Sequence, residues 1–334
     1  MTADQRTVPA STPSTLLERA GAAASDIGSI GRDRPRLRMA IQAGLAALIF
    51  AALIGFLLTQ WSKLPNYDWR FRPGWLAISA VGIAGFYLAQ CEIWRFILRS
   101  LGEDLAAWPA RGAWAKSLLA RYVPTSALMP VVRALIAEQH GVKKRVTLAS
   151  VAYEVLLAFC AAVIGGAYFV ITLPSLDDQP ARFAILAVIP LVLLVLHPRI
   201  FHRLADFALG KLGREPLPLS LPSGRVLTIV CMYLGSWALI GIGTFAFAAS
   251  LHALDAGDLP YIAASYPVAF CVSVLTFIVP SGLGTRDATL ATSLAVVLPD
   301  AVATAIAVAF RLFQTAVELL FVGTVTLLAR RRTG

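Results

Sequence analysis

The sequence predicts an all-α polytopic membrane protein with six full spans and two re-entrant helical hairpins in an inverted repeat. The alternative is eight full spans. Three observations carry this. Apolar residues make up 58% of the 334 and charged residues only 14%, with a mean hydropathy of +0.72, so there is too little polar surface to solvate a globule of this size. Most of the 29 Lys and Arg fall in tails or loops on one side of such a layout, and only Lys63, Arg70, Arg72 and Arg182 on the other. That is the positive-inside asymmetry; it accounts for the net charge of +10 without a nucleic-acid partner. Finally, two proline-broken segments recur in the same context, Arg121-Tyr122-Val123-Pro124-Thr125-Ser126 and Phe277-Ile278-Val279-Pro280-Ser281-Gly282. Each is followed by an arginine, Arg133 or Arg286, and then by a long apolar helix. Those helices also align, 148–166 (LASVAYEVLLAFCAAVIGG) with 305–323 (AIAVAFRLFQTAVELLFVG).

Residues 1–35 are rich in Ser, Ala, Pro and Arg, carry acidic residues, and lack the basic start and cleavage site of a signal peptide. They read as a disordered cytoplasmic tail, and Arg32, Arg34, Arg36 and Arg38 hold the N-terminus inside. The first membrane half occupies 36–173 and the second 174–334. Apolar runs of spanning length, about 20 residues, lie near 39–58, 75–97, 146–172, 183–197 (short, with Pro190), 226–251 and 300–329. Six spans return the C-terminus to the inside, where Arg330, Arg331 and Arg332 lie. The protein is thus expected in the cell membrane, multi-pass, with both termini cytoplasmic.

Two segments depart from ordinary spans. In 113–140 the arm before Pro124 is short and holds Lys116 and Arg121, and both flanks, Arg111 and Lys143-Lys144-Arg145, are basic. It reads as a hairpin entering from the inside. The segment 261–298 is flanked by Asp255, Asp258 and Asp300 and reads as a hairpin entering from outside, although 261–279 is long enough to cross. Opposite orientations of matched halves define an inverted repeat.

An ionised side chain at the bilayer centre costs on the order of 2.5 to 3.5 kcal/mol even on lenient scales. Glu154, Arg286, Asp287, Arg311 and Glu318 all fall within apolar segments. Arg311, Gln314 and Glu318 recur at i, i+3 and i+7, so one face of the last helix is polar and must meet protein or water. It lines a polar substrate cavity or forms a structural salt-bridge core. Glu92 and Arg95, three apart near the inner boundary, suit an interfacial pair. Where Pro124 or Pro280 breaks a helix, the next helix starts with free N–H groups and a positive dipole end. Gly282 and Gly284 allow close approach to that backbone. With Arg133 and Arg286 nearby, each hairpin tip suits an anion such as phosphate. The candidate substrate-binding residues are therefore Arg121, Pro124, Arg133, Glu154, Pro280, Ser281, Gly282, Gly284, Arg286, Asp287, Arg311, Gln314 and Glu318.

Tyr122-Val123-Pro124 with Arg133, the helix of Glu154, and Pro280-Ser281-Gly282-Leu283-Gly284-Thr285-Arg286-Asp287 followed by Arg311 resemble the lysylphosphatidylglycerol synthase transmembrane-region family. The resemblance covers about 40–330. It implies a flippase-like protein, here a stand-alone member without the soluble aminoacyltransferase domain. Asp287 stands where the family usually has Glu. Val155 replaces an arginine, so Glu154 is expected to find a partner across the fold.

The expected function is movement of an anionic phospholipid or polyprenyl-linked head group between leaflets. The alternative is a non-transporting subunit presenting such a lipid to a partner glycosyl- or aminoacyl-transferase. No catalytic residues or cofactors are expected. The loop 198–225 is too short for an acyltransferase core. His202 and Asp206 lie in that basic loop without a convergent partner, Asp177-Asp178 reads as an external turn, and His140, His197 and His252 share no ligand spacing. Cys91, Cys160, Cys231 and Cys271 read as apolar packing residues.

Overall fold

The computed structural model describes residues 69–122, 128–173, 221–275 and 285–333, together with Ala51 and Gly55. By internal contacts the chain divides into 1–48 and 49–334, and every helix described belongs to the second unit. The expected tail at 1–35, the span at 183–197, and most of the span at 39–58 and of the loop 198–225 lie outside the described residues. So do Pro124, Pro280, Ser281, Gly282 and Gly284.

Every long regular element among the described residues is helical. Helix α1 (Pro73–Ser100) begins with proline in its first turn, where the missing N–H costs nothing, and ends before Gly102, whose φ of 87° only glycine adopts freely. Helix α2 (Ala107–Leu118) runs into a 3₁₀ turn (Leu119–Tyr122), and α3 (Leu128–Glu138) follows. Helix α4 (Lys144–Ile171) and helix α5 (Ser223–Leu251) are long and apolar. A 3₁₀ turn closed by a reciprocal Asp255–Asp258 capping box leads into α6 (Leu259–Leu275), with Pro267 inside it. Helix α7 (Thr285–Leu294) precedes α8 (Asp300–Thr333), which starts on an aspartate and ends on Arg330, Arg331 and Arg332, matching its dipole at both ends.

Five described helices are long and apolar enough to cross a membrane: α1, α4, α5, α6 with its leading turn, and α8. Four coincide with the expected spans at 75–97, 146–172, 226–251 and 300–329. The fifth falls in the segment read as the second hairpin. Helices α2, α3 and α7, of 12, 11 and 10 residues, fall well short of the roughly 20 residues a crossing needs.

The helices pack in a pattern that repeats. α1 lies along α5; α2 contacts α3 and α6 contacts α7; α3 rests on α4 and α7 on α8. The first arm of each broken segment also crosses to the other set, α2 packing on α8 and α6 on α4. Small residues permit the closest crossings. A Cβ on Gly82 of α1 would stand 2.9 Å from the Leu239 carbonyl oxygen of α5, and Ser79 Oγ donates to the Gly243 carbonyl at 2.7 Å. Towards the C-terminal end of α1, Glu92 accepts from Arg111 at 2.5 Å and from Arg95 at 3.3 Å, so the expected Glu92–Arg95 pair is a three-membered cluster.

Candidate functional site

Two polar networks lie among apolar side chains, and one cavity touches both. The first centres on Arg133, projected from α3 and wholly inaccessible to solvent. Its guanidinium lies over the faces of Trp94 and Trp114, 5.2 and 5.5 Å from the ring centroids. Nη1 donates to Glu154 of α4, and Nε donates to Ser117 Oγ of α2 at 3.0 Å. Trp114 Nε1 donates to the other Glu154 oxygen at 3.1 Å, while Trp94 Nε1 donates to Ser150 Oγ at 2.9 Å. Glu154 thus finds its partner on the preceding helix, α3, rather than across the fold as expected from the loss of its neighbour at Val155. Further donors on the carboxylate help such a buried pair to keep its charge, although Nη2 of Arg133 has no hydrogen-bond partner.

The second network joins both broken segments to α8. Arg286, in the first turn of α7, donates Nη1 to Tyr266 Oη and Nη2 to Gln314 Oε1, both at 3.2 Å. It also lies 3.6 Å from Asp287 Oδ1. Gln314 Nε2 donates to Tyr266 Oη at 2.7 Å and to Tyr87 Oη at 3.3 Å. Tyr87 donates onward to Glu318 Oε2 at 2.6 Å, and the same oxygen lies 3.4 Å from Arg121 Nη1 in the 3₁₀ turn after α2. The chain of contacts therefore runs from α7 through α6, α8 and α1 to the first broken segment.

The cavity, of about 290 Å³, is lined by Arg121, Arg286, Gln314, Tyr87, Tyr266 and Glu154 on its polar side and by Phe86, Leu118, Trp237 and Phe270 on its apolar side. Arg133 does not line it; its partners Glu154 and Trp114 do. Val155 lines it as well, so the position where the resembled family carries arginine faces the cavity with an isopropyl group.

Arg311 stands apart from both networks. It is only 8% exposed, its Nε has no hydrogen-bond partner, and no carboxylate pairs with it among the described residues. Glu318 pairs with Arg121 and Tyr87 instead, so the polar face at 311, 314 and 318 divides between a network and a cation with no carboxylate partner among the described residues. That cation stands one turn before the cavity's Gln314.

The structure therefore brings Arg121, Glu154, Arg286 and Gln314 to one cavity, sets Glu318 and Asp287 directly behind its arginines, and places Arg133 and Arg311 deeper. Sequence reasoning passed over Tyr87, Tyr266, Trp94 and Trp114. A tyrosine or tryptophan inside an apolar run still needs a partner for its O–H or N–H, and that need was the available signal. His252, at the far end of α5 and outside the span, titrates below the ordinary histidine range because of partial burial and the nearby Arg70.

No curated protein and no solved structure shows a match to this chain. Residues 43–321 do match the family described as the lysylphosphatidylglycerol synthase TM region. Because that match takes in every residue of the cavity and of both networks, this multi-pass membrane chain belongs to the lysylphosphatidylglycerol synthase TM region family.

Proposed function

We propose that the protein moves the head group of an anionic lipid between the leaflets of the cell membrane, with both termini cytoplasmic and without catalysing aminoacyl transfer. The observation that carries this is the convergence of Arg121 and Arg286, one from each broken segment, on a single cavity. Its volume of about 290 Å³ sits at the low end of ligand pockets, roughly 300 Å³. That suits a polar head group whose acyl chains stay in lipid. Arg121 pairs with Glu318, Arg133 with Glu154 and Arg286 with Asp287; among the described residues no carboxylate pairs with Arg311, one turn from the cavity's Gln314, and its charge adds to the positive field an entering anion meets. In this reading the two broken segments re-enter from opposite sides as an inverted repeat and expose the cavity alternately.

Purified protein in liposomes tests the proposal. Wild type should flip phosphatidylglycerol in preference to phosphatidylcholine. Arg121→Lys keeps a cation for Glu318 but loses the planar fork that grips phosphate; it should hold its melting temperature while phosphatidylglycerol flipping falls about tenfold, the equivalent of ~1.4 kcal/mol. Equal movement of the two lipids by wild type would refute an anion site. Activity appearing only with a co-purifying transferase would favour a subunit that presents lipid to an enzyme.

A further inference from the structure

We infer that Glu318 is an internal competitor for the head-group phosphate, holding Arg121 in the ligand-free cavity and giving it up when the lipid anion arrives. This rests on the head-group reading of the cavity and assigns Glu318 a role as specificity-determining residue rather than as ligand. The geometry of the pair carries it. Glu318 is almost wholly buried, at 4% side-chain exposure, whereas Arg121 is 31% exposed and faces the cavity. Their contact is an Nη1···Oε2 approach at 3.4 Å, longer than the 2.7–2.9 Å of a strong charge-assisted bond. The same oxygen holds a much shorter 2.6 Å bond from Tyr87. Glu318 is thus anchored to Tyr87, and its contact with Arg121 is the longer of the two.

The other cavity arginine is held differently. Arg286 spends Nη1 on Tyr266 and Nη2 on Gln314 and has Asp287 beside it. An entering phosphate finds in Arg121 the more exposed guanidinium, 31% against 15% for Arg286. When the phosphate takes that guanidinium, the Tyr87 bond remains to stabilise the carboxylate left behind. Release then reverses the exchange, because Glu318 recaptures Arg121. A carrier that must let go of its cargo benefits from such a built-in rival, and an anion too weak to displace a carboxylate is refused.

Binding of phosphatidylglycerol and phosphatidylcholine to the full chain in nanodiscs or detergent, read by native mass spectrometry and lipid-induced thermal shift, tests this. Glu318→Gln keeps the shape and the Tyr87 contact; it should bind phosphatidylglycerol about tenfold more tightly and leave phosphatidylcholine unchanged. Tyr87→Phe removes the short bond that anchors the carboxylate and should shift binding the opposite way. In an Arg121→Gln background, Glu318→Gln should have no effect on phosphatidylglycerol. If Glu318→Gln does not yield folded protein, Glu318→Asp, which draws the carboxylate back from Arg121, should also tighten binding. Unchanged or weaker phosphatidylglycerol binding in the Glu318 variants, with wild type still preferring it, overturns the exchange and leaves the head-group reading standing. Tightening that persists without Arg121 also overturns it, since Glu318 would then act only through its general field. Wild type with no preference between the two lipids removes both readings together.

Discussion

Arg133 and Arg311 are both more than nine-tenths buried, yet they should answer removal in opposite ways. Arg133 is matched by Glu154, Ser117 and two indole faces. Glu154→Gln leaves that guanidinium buried without its counter-ion, a loss of about 3 to 5 kcal/mol. Arg311 has no such counter-ion among the described residues, so Arg311→Met, similar in length and apolar, should leave the melting temperature equal or higher while anionic-lipid binding falls. Thermal melting in detergent with and without phosphatidylglycerol separates the two outcomes. A large loss of stability in Arg311→Met would show that its charge is compensated within the protein. The charged residues of the site were legible because a charge in an apolar run is expensive wherever it falls; Glu154, Arg286 and Glu318 declared themselves on that ground, and Arg121 by its place in the short arm before Pro124. Which carboxylate met which arginine was not legible. Helical spacing put Arg311 and Glu318 on one face, but the partner of Glu318 came from a different helix, and Tyr87 and Tyr266 carried no charge to betray them.

Helix crossings decide how closely the cavity walls are held. On α5, a Cβ added to Gly241 would stand 2.7 Å from the Ala263 carbonyl oxygen and 2.8 Å from its Cα on α6, whereas one added to Gly235 meets nothing within 4 Å. Backbone cannot step aside as a side-chain tip can. Gly241→Ala should therefore destabilise by about 1 to 3 kcal/mol through overpacking. Gly235→Ala, on the same helix, should be neutral or stabilising by up to ~1 kcal/mol through propensity. Equal melting temperatures for the two variants would refute the close crossing. The extents of α1, α4, α5 and α8 were readable from apolar runs between charged ends, because solvation of those ends fixes where a span stops. The close crossings were not, since a glycine in an apolar helix looks the same whether it faces lipid or a neighbouring backbone.

At the scale of the molecule the described helices repeat their neighbour relations, α1 through α4 finding counterparts in α5 through α8. The sequence showed this in outline: the aligned stretches 148–166 and 305–323 place Glu154 and Arg311 at matching positions. Similarity identifies equivalent helices but not adjacent ones, so the crossing of α2 onto α8 and of α6 onto α4 was out of reach. The sidedness behind the proposed function is open to labelling. In a background with Cys91, Cys160, Cys231 and Cys271 replaced, a cysteine at Asp258 should react with an impermeant reagent on intact cells, and one at Lys144 only after permeabilisation. Reaction at Lys144 in intact cells would reverse the assignment. The crossing of α2 onto α8 also bears on how the chain is made. Ribosomes deliver α2 well before α8, so a surface of the first broken segment waits uncovered while the five described helices between them are synthesised. A fragment ending before α8 should accordingly be recognised by membrane proteases as unfinished, and supplying α8 as a separate polypeptide should rescue it.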